Sequence, residues 1–235
     1  GGKPGSVFCA RKARVTIGRE GADFSFPDDR FMSHKHAVVE FKDSAVWLVD
    51  QESRNGTFVQ IRDWRPVRRD AIYTLAGEQY ELKILDILNN HSGWDNQYLT
   101  KVNDFFRRLD LTKTTVLPEV PAENRVVRSR SSLSYLYLRI KIDNIQTFYV
   151  ITSEKTLVGL GLGSDINLTD PAVPYQDLQS QIRYENGKWQ IKDGGISSST
   201  YGTWHKLQNA ESVKLDRMQC IKLGSAVTLD FSYKG

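Results

Sequence analysis

The chain repeats itself. Gly18, Asp23 and Gly56-Thr57-Phe58 recur as Gly159, Asp165 and Gly202-Thr203-Trp204, and Gly77 recurs as Gly224, each of these last two followed by a strand-like run. The offset between partners drifts from 141 to 147 along the chain, as it does when loops lengthen between strands of fixed length. One structural unit used twice is the simplest frame with that property, so the 235 residues divide into two small domains.

The units read as β-structure. Arg14 to Gly18, Ala37 to Lys42, Ala45 to Asp50 and Tyr80 to Leu85 are runs rich in Val, Ile, Tyr and Phe, bounded by Gly, Asp, Asn and Ser. Val46 and Leu48 fall on one face of their run, Trp47 and Val49 on the other, so this strand is central or covered. In the second half, Leu178 to Tyr184 and Lys188 to Lys192 flank Asn186-Gly187, a strong hairpin signal. Lys42-Asp43-Ser44 reads as the matching turn of the first half. Short strands at this spacing predict an all-β chain of two β-sandwiches.

Between them the period changes. Tyr98, Val102, Phe105 and Leu109 recur at helical spacing within residues 92 to 111, with Ser92, Asp95 or Asn96 as the cap, which predicts an amphipathic helix packed on its own domains. Residues 112 to 132 hold Thr112, Thr114, Thr115, Pro118, Pro121 and the basic run from Arg125 to Arg130, and read as a linker. The expected division is a first domain over 1–90, helix and linker over 91–132, and a second domain over 133–235.

Composition narrows the function classes. Cys9 and Cys220 fit neither a disulfide framework nor a zinc site, which favours a reducing, intracellular compartment, cytoplasm or nucleus. No stretch approaches the ~18 apolar residues of a membrane span, and Tyr135 to Ile142 is broken by Arg139 and Lys141, so no membrane partner is expected. Gly1-Gly2 in place of an initiator Met reads as an appended scar, with the native N-terminus and any targeting signal missing. The net charge of +4 suits anionic partners in general.

The chemistry-bearing residues are Gly18-Arg19, Ser33-His34-Lys35-His36 and Asn55-Gly56-Thr57, in that order within forty residues. Arg supplies a rigid fork of N–H donors to phosphate oxygens, Ser a short hydroxyl donor, and Asn-Gly a tight turn whose amide can bond a peptide backbone. The second half lacks this set: Leu160 stands for Arg19, Gln176 for Ser33, Gln179 for His36 and Tyr201 for Asn55. One charged contact from Arg contributes about 1.5–3 kcal/mol, so the first half is expected to bind and the second to be a pseudo-domain.

The order Gly-Arg, Asp-x-x-Phe, Ser-x-x-His-Ala, Asn-Gly-Thr-Phe resembles the forkhead-associated (FHA) domain over residues 6 to 88, and in degenerate form over 133 to 233. The resemblance implies eleven-stranded β-sandwiches that bind phosphothreonine peptides through loops at one end. By position it implies that Arg19 and Ser33 hold the phosphate, that His34 adds a contact, that Asn55 and Arg54 meet the ligand chain, and that Arg30 and Phe31 help choose the residue three past the phosphothreonine. It makes His36 a buried brace and Gly18, Gly56 and Thr57 structural. Where relatives carry an acidic turn, Arg62 to Thr74 holds Trp64, Arg65, Arg68 and Arg69.

The reading is therefore a phosphothreonine-peptide-binding module that recruits or scaffolds phosphorylated partners; it is not an enzyme and carries no cofactor. The alternative is an assembly scaffold using the pseudo-domain and helix as a protein–protein surface. Metal binding through His34 and His36 lacks Cys or clustered carboxylates at ligand spacing. Asp28-Asp29 reads as a solvated loop, and Gly159-x-Gly161-x-Gly163 is followed by no crossover helix. Ser197 to Thr200 reads as a loop open to phosphorylation. Nucleic acid, through Arg65, Arg68, Arg69 and the run from Arg125 to Arg130, is disfavoured. Leu117 three residues past Thr114 raises self-association through phosphorylated Thr114.

Overall fold

The computed structural model describes residues 7–68, 71–76, 80–84, 115–116, 136–143, 145–151, 155–159, 164–168, 178–195, 198–216, 218–224 and 227–232. Every regular element among them is a β-strand. The helix expected over 92–111, most of the linker, Thr114, the basic run from Arg125 to Arg130, and Leu160 and Gln176 lie outside the described residues. Two residues of the expected linker are strand: Thr115–Val116 pairs with Tyr149 and Val150.

Two compact units form, comprising residues 1–60 with 206–235, and residues 61–205. This is not the linear division at 90 and 133. The first unit begins with β1 (Arg14–Gly18), β2 (Phe24–Ser25), β3 (Ala37–Lys42), β4 (Ala45–Asp50) and β5 (Thr57–Ile61). The chain then builds the second unit from β6 (Arg65–Pro66), β7 (Ile72–Leu75), β8 (Tyr80–Ile84), β9 (Thr115–Val116), β10 (Leu136–Ile142), β11 (Ile145–Ile151), β12 (Lys155–Gly159), β13 (Ile166–Asn167), β14 (Leu178–Glu185), β15 (Lys188–Asp193) and β16 (Thr203–Lys206), whose last residue, Lys206, already belongs to the first unit. It returns to the first with β17 (Ser212–Lys214), β18 (Met218–Leu223) and β19 (Val227–Ser232).

In the first unit one sheet runs β17-β4-β3-β1-β2 and the facing strands run β19-β18-β5. β4 is central, paired with β3 on one side and β17 on the other; Val46 and Leu48 face the core, and Trp47 and Val49 on the opposite face are half-buried. Ile17, Ala37, Val46 and Leu48 from one layer meet Val59, Ile221 and Leu223 from the other, with Met32, Leu207 and Leu215 closing the core. Full burial stabilises each such Leu or Ile side chain by about 1.5–3 kcal/mol. The return segment thus supplies four of these ten core residues, Leu207, Leu215, Ile221 and Leu223: β18 pairs with β5 through Ile221↔Val59, and Leu215 donates its amide to Val46 O at 2.8 Å.

The second unit has the same two-layer form, with β13-β12-β14-β15-β6 facing β16-β7-β8-β10-β11-β9. Leu75, Leu82, Leu138, Val158, Ile182 and Ile191 fill it, all fully buried. β7 and β8, the hairpin that follows β5 in sequence, pair here with each other and with β10. Local order repeats between units: β1 pairs parallel with β2 and antiparallel with β3, and β12 pairs likewise with β13 and β14. Asp23 accepts the Thr16 amide at 2.9 Å, and Asp165 accepts the Leu157 amide at 2.7 Å.

Both hairpins close through two-residue turns with both central φ angles positive, 51° and 56° at Asp43 and Ser44, 52° and 75° at Asn186 and Gly187. Such turns match the twist of the flanking strands.

The discontinuous first unit has a direct consequence. Leu215→Ala should lose about 2–5 kcal/mol and speed amide exchange across β4, measured by hydrogen exchange; unchanged protection in β4 would place Leu215 outside this core. A fragment ending at residue 90 lacks β17, β18 and β19 and should show no cooperative unfolding transition.

Candidate functional site

The loops of the first unit meet where β1 ends. Gly18 is needed there because a Cβ on it would stand 1.9 Å from His34 O. Its neighbour Arg19 donates its amide to Ser33 O at 2.9 Å, and His36 donates its amide to Ile17 O at 2.9 Å. The loop from Phe26 to His36 therefore lies directly against the end of β1. Met32, 2% exposed, anchors it, and Asp29 Oδ1 accepts the Phe31 amide at 2.8 Å, an Asx turn.

His36 joins this loop to the next. It is fully buried. Its Nδ1 accepts the Ser33 amide at 3.2 Å, so Nε2 carries the proton and donates to Gly56 O at 2.9 Å. Burial pushes its pKa below the usual 6.5, outweighing the Gly56 hydrogen bond and the charges of Asp50 and Asp29, which act the other way. The neutral imidazole therefore ties Ser33 to Gly56.

Asp50 shapes the second loop from within. It is 1% exposed and accepts Ser53 Oγ and Thr57 Oγ1, both at 2.6 Å, and the Ser53 amide at 3.1 Å. The loop it encloses turns through positive φ at Glu52 and Gly56. The carbonyl of Gly56 also accepts the Gly224 amide at 2.9 Å.

The candidate ligand-contacting side chains fall into two adjoining groups. Arg19 Nη2 donates to His34 Nε2 at 2.6 Å, which leaves the His34 proton on Nδ1, 4.0 Å from Glu20 Oε2. Arg19 Nε is 4.0 Å from Glu20 Oε1, is shielded from solvent and has no hydrogen-bond partner. In the second group Ser33 Oγ accepts the Arg54 amide at 3.0 Å, and Asn55 Nδ2 donates to Phe31 O at 2.7 Å. The Ser33 hydroxyl proton and Asn55 Oδ1 remain for an outside partner. Arg30 Cζ stands 5.2 Å from the centroid of the exposed Phe31 ring.

Of the residues read from the sequence, Arg19, Arg30, Phe31, Ser33, His34, His36, Arg54, Asn55 and Gly56 lie on these adjoining loops, while Gly18 ends β1 and Thr57 begins β5. Glu20, Asp50 and Ser53 went unread, although an Asp at a strand end with Ser three residues on is an Asx-turn signal. Gly224 lies too far along the chain to be linked to the site by any local pattern. In the second unit, Asp193 keeps the bracket, accepting Ser199 Oγ at 2.7 Å and the Ser199 amide at 3.1 Å. Gln179, fully buried, accepts the Ala76 amide through Oε1, and Tyr201 is 44% exposed. Among the described residues no three His, Cys, Asp or Glu side chains cluster as a metal site, and no helix is long and apolar enough to cross a membrane.

Two outcomes follow from this geometry. His36 is neutral in the fold, so below pH ~6.5 the unfolded chain takes up a proton that the folded chain resists. Stability should be level above that pH and fall as pH drops from it toward the lowered folded pKa, in denaturant titrations across pH. His36→Gln should flatten this slope; an unchanged slope would assign it to other groups. Separately, Gly18→Ala should cost about 1–3 kcal/mol by forcing β1 and His34 apart, read as a lower melting temperature.

A family model of the FHA domain matches residues 15–75, from β1 through β7. FHA domains are phosphopeptide-binding interaction modules, generally without catalytic activity. No curated protein and no solved structure matches the chain.

Proposed function

We propose that the first unit is a phosphothreonine-peptide reader that recruits or scaffolds phosphorylated partners. The observation that carries this is the state of Arg19: its guanidinium is oriented by His34, faces only the Glu20 carboxylate at 4.0 Å, and keeps a shielded Nε donor without a hydrogen bond. A phosphate dianion is a stronger partner for such a fork than a carboxylate at that distance. On binding, it takes the Arg19 donors and the Ser33 hydroxyl proton, and Glu20 gives way. Asn55 Oδ1 accepts an N–H of the peptide, while Arg54, Arg30 and Phe31 meet neighbouring residues. A pocket for one methyl, about 0.8 kcal/mol per buried carbon plus packing, is the basis of threonine over serine.

The second unit retains the frame and lacks the charged contacts. It keeps the Asp193 bracket and a buried Gln179 where the first unit has Asp50 and His36, while Tyr201 stands where the first has Asn55. It is a pseudo-domain that completes the molecule without gripping phosphate.

The test is an oriented phosphothreonine-peptide array with wild type beside Arg19→Ala. Wild type should bind selectively at micromolar strength, about 8 kcal/mol at 1 μM, and lose binding when the peptide is dephosphorylated. Arg19→Ala should abolish it. Binding that survives that substitution would overturn the assignment.

A further inference from the structure

Two cations reach the rim of this site from the far end of the chain. The return segment is fastened to the Asn55–Gly56 turn by two backbone hydrogen bonds, Leu207 N to Thr57 O at 2.8 Å and Gly224 N to Gly56 O at 2.9 Å. Gly224 has φ 61°, and a Cβ there would stand 3.2 Å from Phe31 O and 3.7 Å from Asn55 Cβ. The segment thus backs both ligand-facing loops.

Lys206 and Lys222 stand beside the same turn. A Cβ on Gly56 would lie 3.0 Å from Lys206 Cε and 3.2 Å from the Phe58 ring. Lys206 Nζ is 5.8 Å and Lys222 Nζ 4.6 Å from the centroid of Phe58, a ring only 1% exposed. The two ammonium groups therefore converge on one aromatic next to Asn55. Among the described residues Lys206 forms no ion pair.

We propose that Lys206, seconded by Lys222, is a specificity element of the phosphopeptide site that selects an acidic side chain flanking the phosphothreonine. This rests on the phosphopeptide reading above. Asn55 holds the ligand backbone at the turn, and Lys206 lies against the next residue of that turn. A Glu or Asp on the passing ligand segment meets the positive charge of Lys206 there, and a Lys or Arg meets repulsion. Exposed pairs of this kind each add a modest increment that salt screens, so the effect is a preference laid over phosphate capture.

The test measures binding of fluorescein-labelled phosphothreonine peptides, with Glu, Gln or Lys scanned through each flanking position, by anisotropy at low and high salt. Wild type should prefer the best-placed Glu peptide over its Gln counterpart about threefold to tenfold at low salt, and less at high salt. K206Q/K222Q should bring that ratio close to one while the Gln peptide keeps phosphate-dependent binding. K206R/K222R should keep the preference, which separates charge from packing on Phe58 and covers the case of a poorly folded Gln variant. A wild-type ratio of one, or an unchanged ratio in K206Q/K222Q beside intact phosphate-dependent binding, would overturn this proposal and leave the phosphopeptide reading standing. No phosphate-dependent binding by wild type would overturn both.

Discussion

The carbonyl oxygen of Gly56 accepts twice, from His36 Nε2 and from the Gly224 amide, each at 2.9 Å. Three stretches far apart in sequence meet at that one atom. The loop carrying Ser33 and His34 is tied to it through the His36 ring, the turn carrying Asn55 contains it, and the return hairpin reaches it from the C-terminal side. An imidazole can play this part only while neutral, since a cation has no Nδ1 lone pair to accept the Ser33 amide. Desolvation keeps it so. The same burial that takes the His36 ring away from solvent lets it hold the Ser33 loop against the Gly56 turn.

Buried carboxylates do parallel work. Asp50 gathers Ser53 and Thr57, and Asp193 gathers Ser199. Each closes a loop by satisfying donors that would otherwise be stranded inside the fold. The brackets, the parallel first pair of strands and the positive-φ hairpins recur in both units, whereas Arg19, Ser33 and Asn55 do not. A frame of this kind is held by burial and by hydrogen bonds internal to it. The half-buried positions Arg19, Ser33 and Asn55 contribute no side chain to the apolar core, so their identity is less tightly bound to the fold than that of the brackets.

What was legible in the sequence follows the same line. β1, β3 and β4 occupy the runs read for them, and the turns at Asp43-Ser44 and Asn186-Gly187 sit where turn residues interrupt alternation. That Arg19, Ser33, His36 and Asn55 lie close together was legible because their order is fixed by loops between such strands. The partition into units was not. Alternation says which side chains of a hairpin face a core, and says nothing about which sheet the hairpin joins. The strands of β7–β8 and β18–β19 have similar lengths and apolar patterns, and nothing local tells them apart. For the same reason no local pattern places Gly224 or Lys206 beside the Gly56 turn.

The discontinuity also bears on how the site is assembled. Non-local strand pairing forms slowly because chain closure is unfavourable before contacts compensate it. The first unit's core needs Leu207, Leu215, Ile221 and Leu223 from the last stretch of chain. Until β18 pairs with β5, Gly56 lacks one of its two donors and Phe58 lacks the lysines that flank it. The loops that carry Arg19, Ser33 and Asn55 lie early in the sequence, yet two of the hydrogen bonds that hold the Asn55–Gly56 turn, Leu207 N to Thr57 O and Gly224 N to Gly56 O, come from its last stretch. The geometry of these loops is therefore a property of the complete first unit, and not of the segment that bears their side chains.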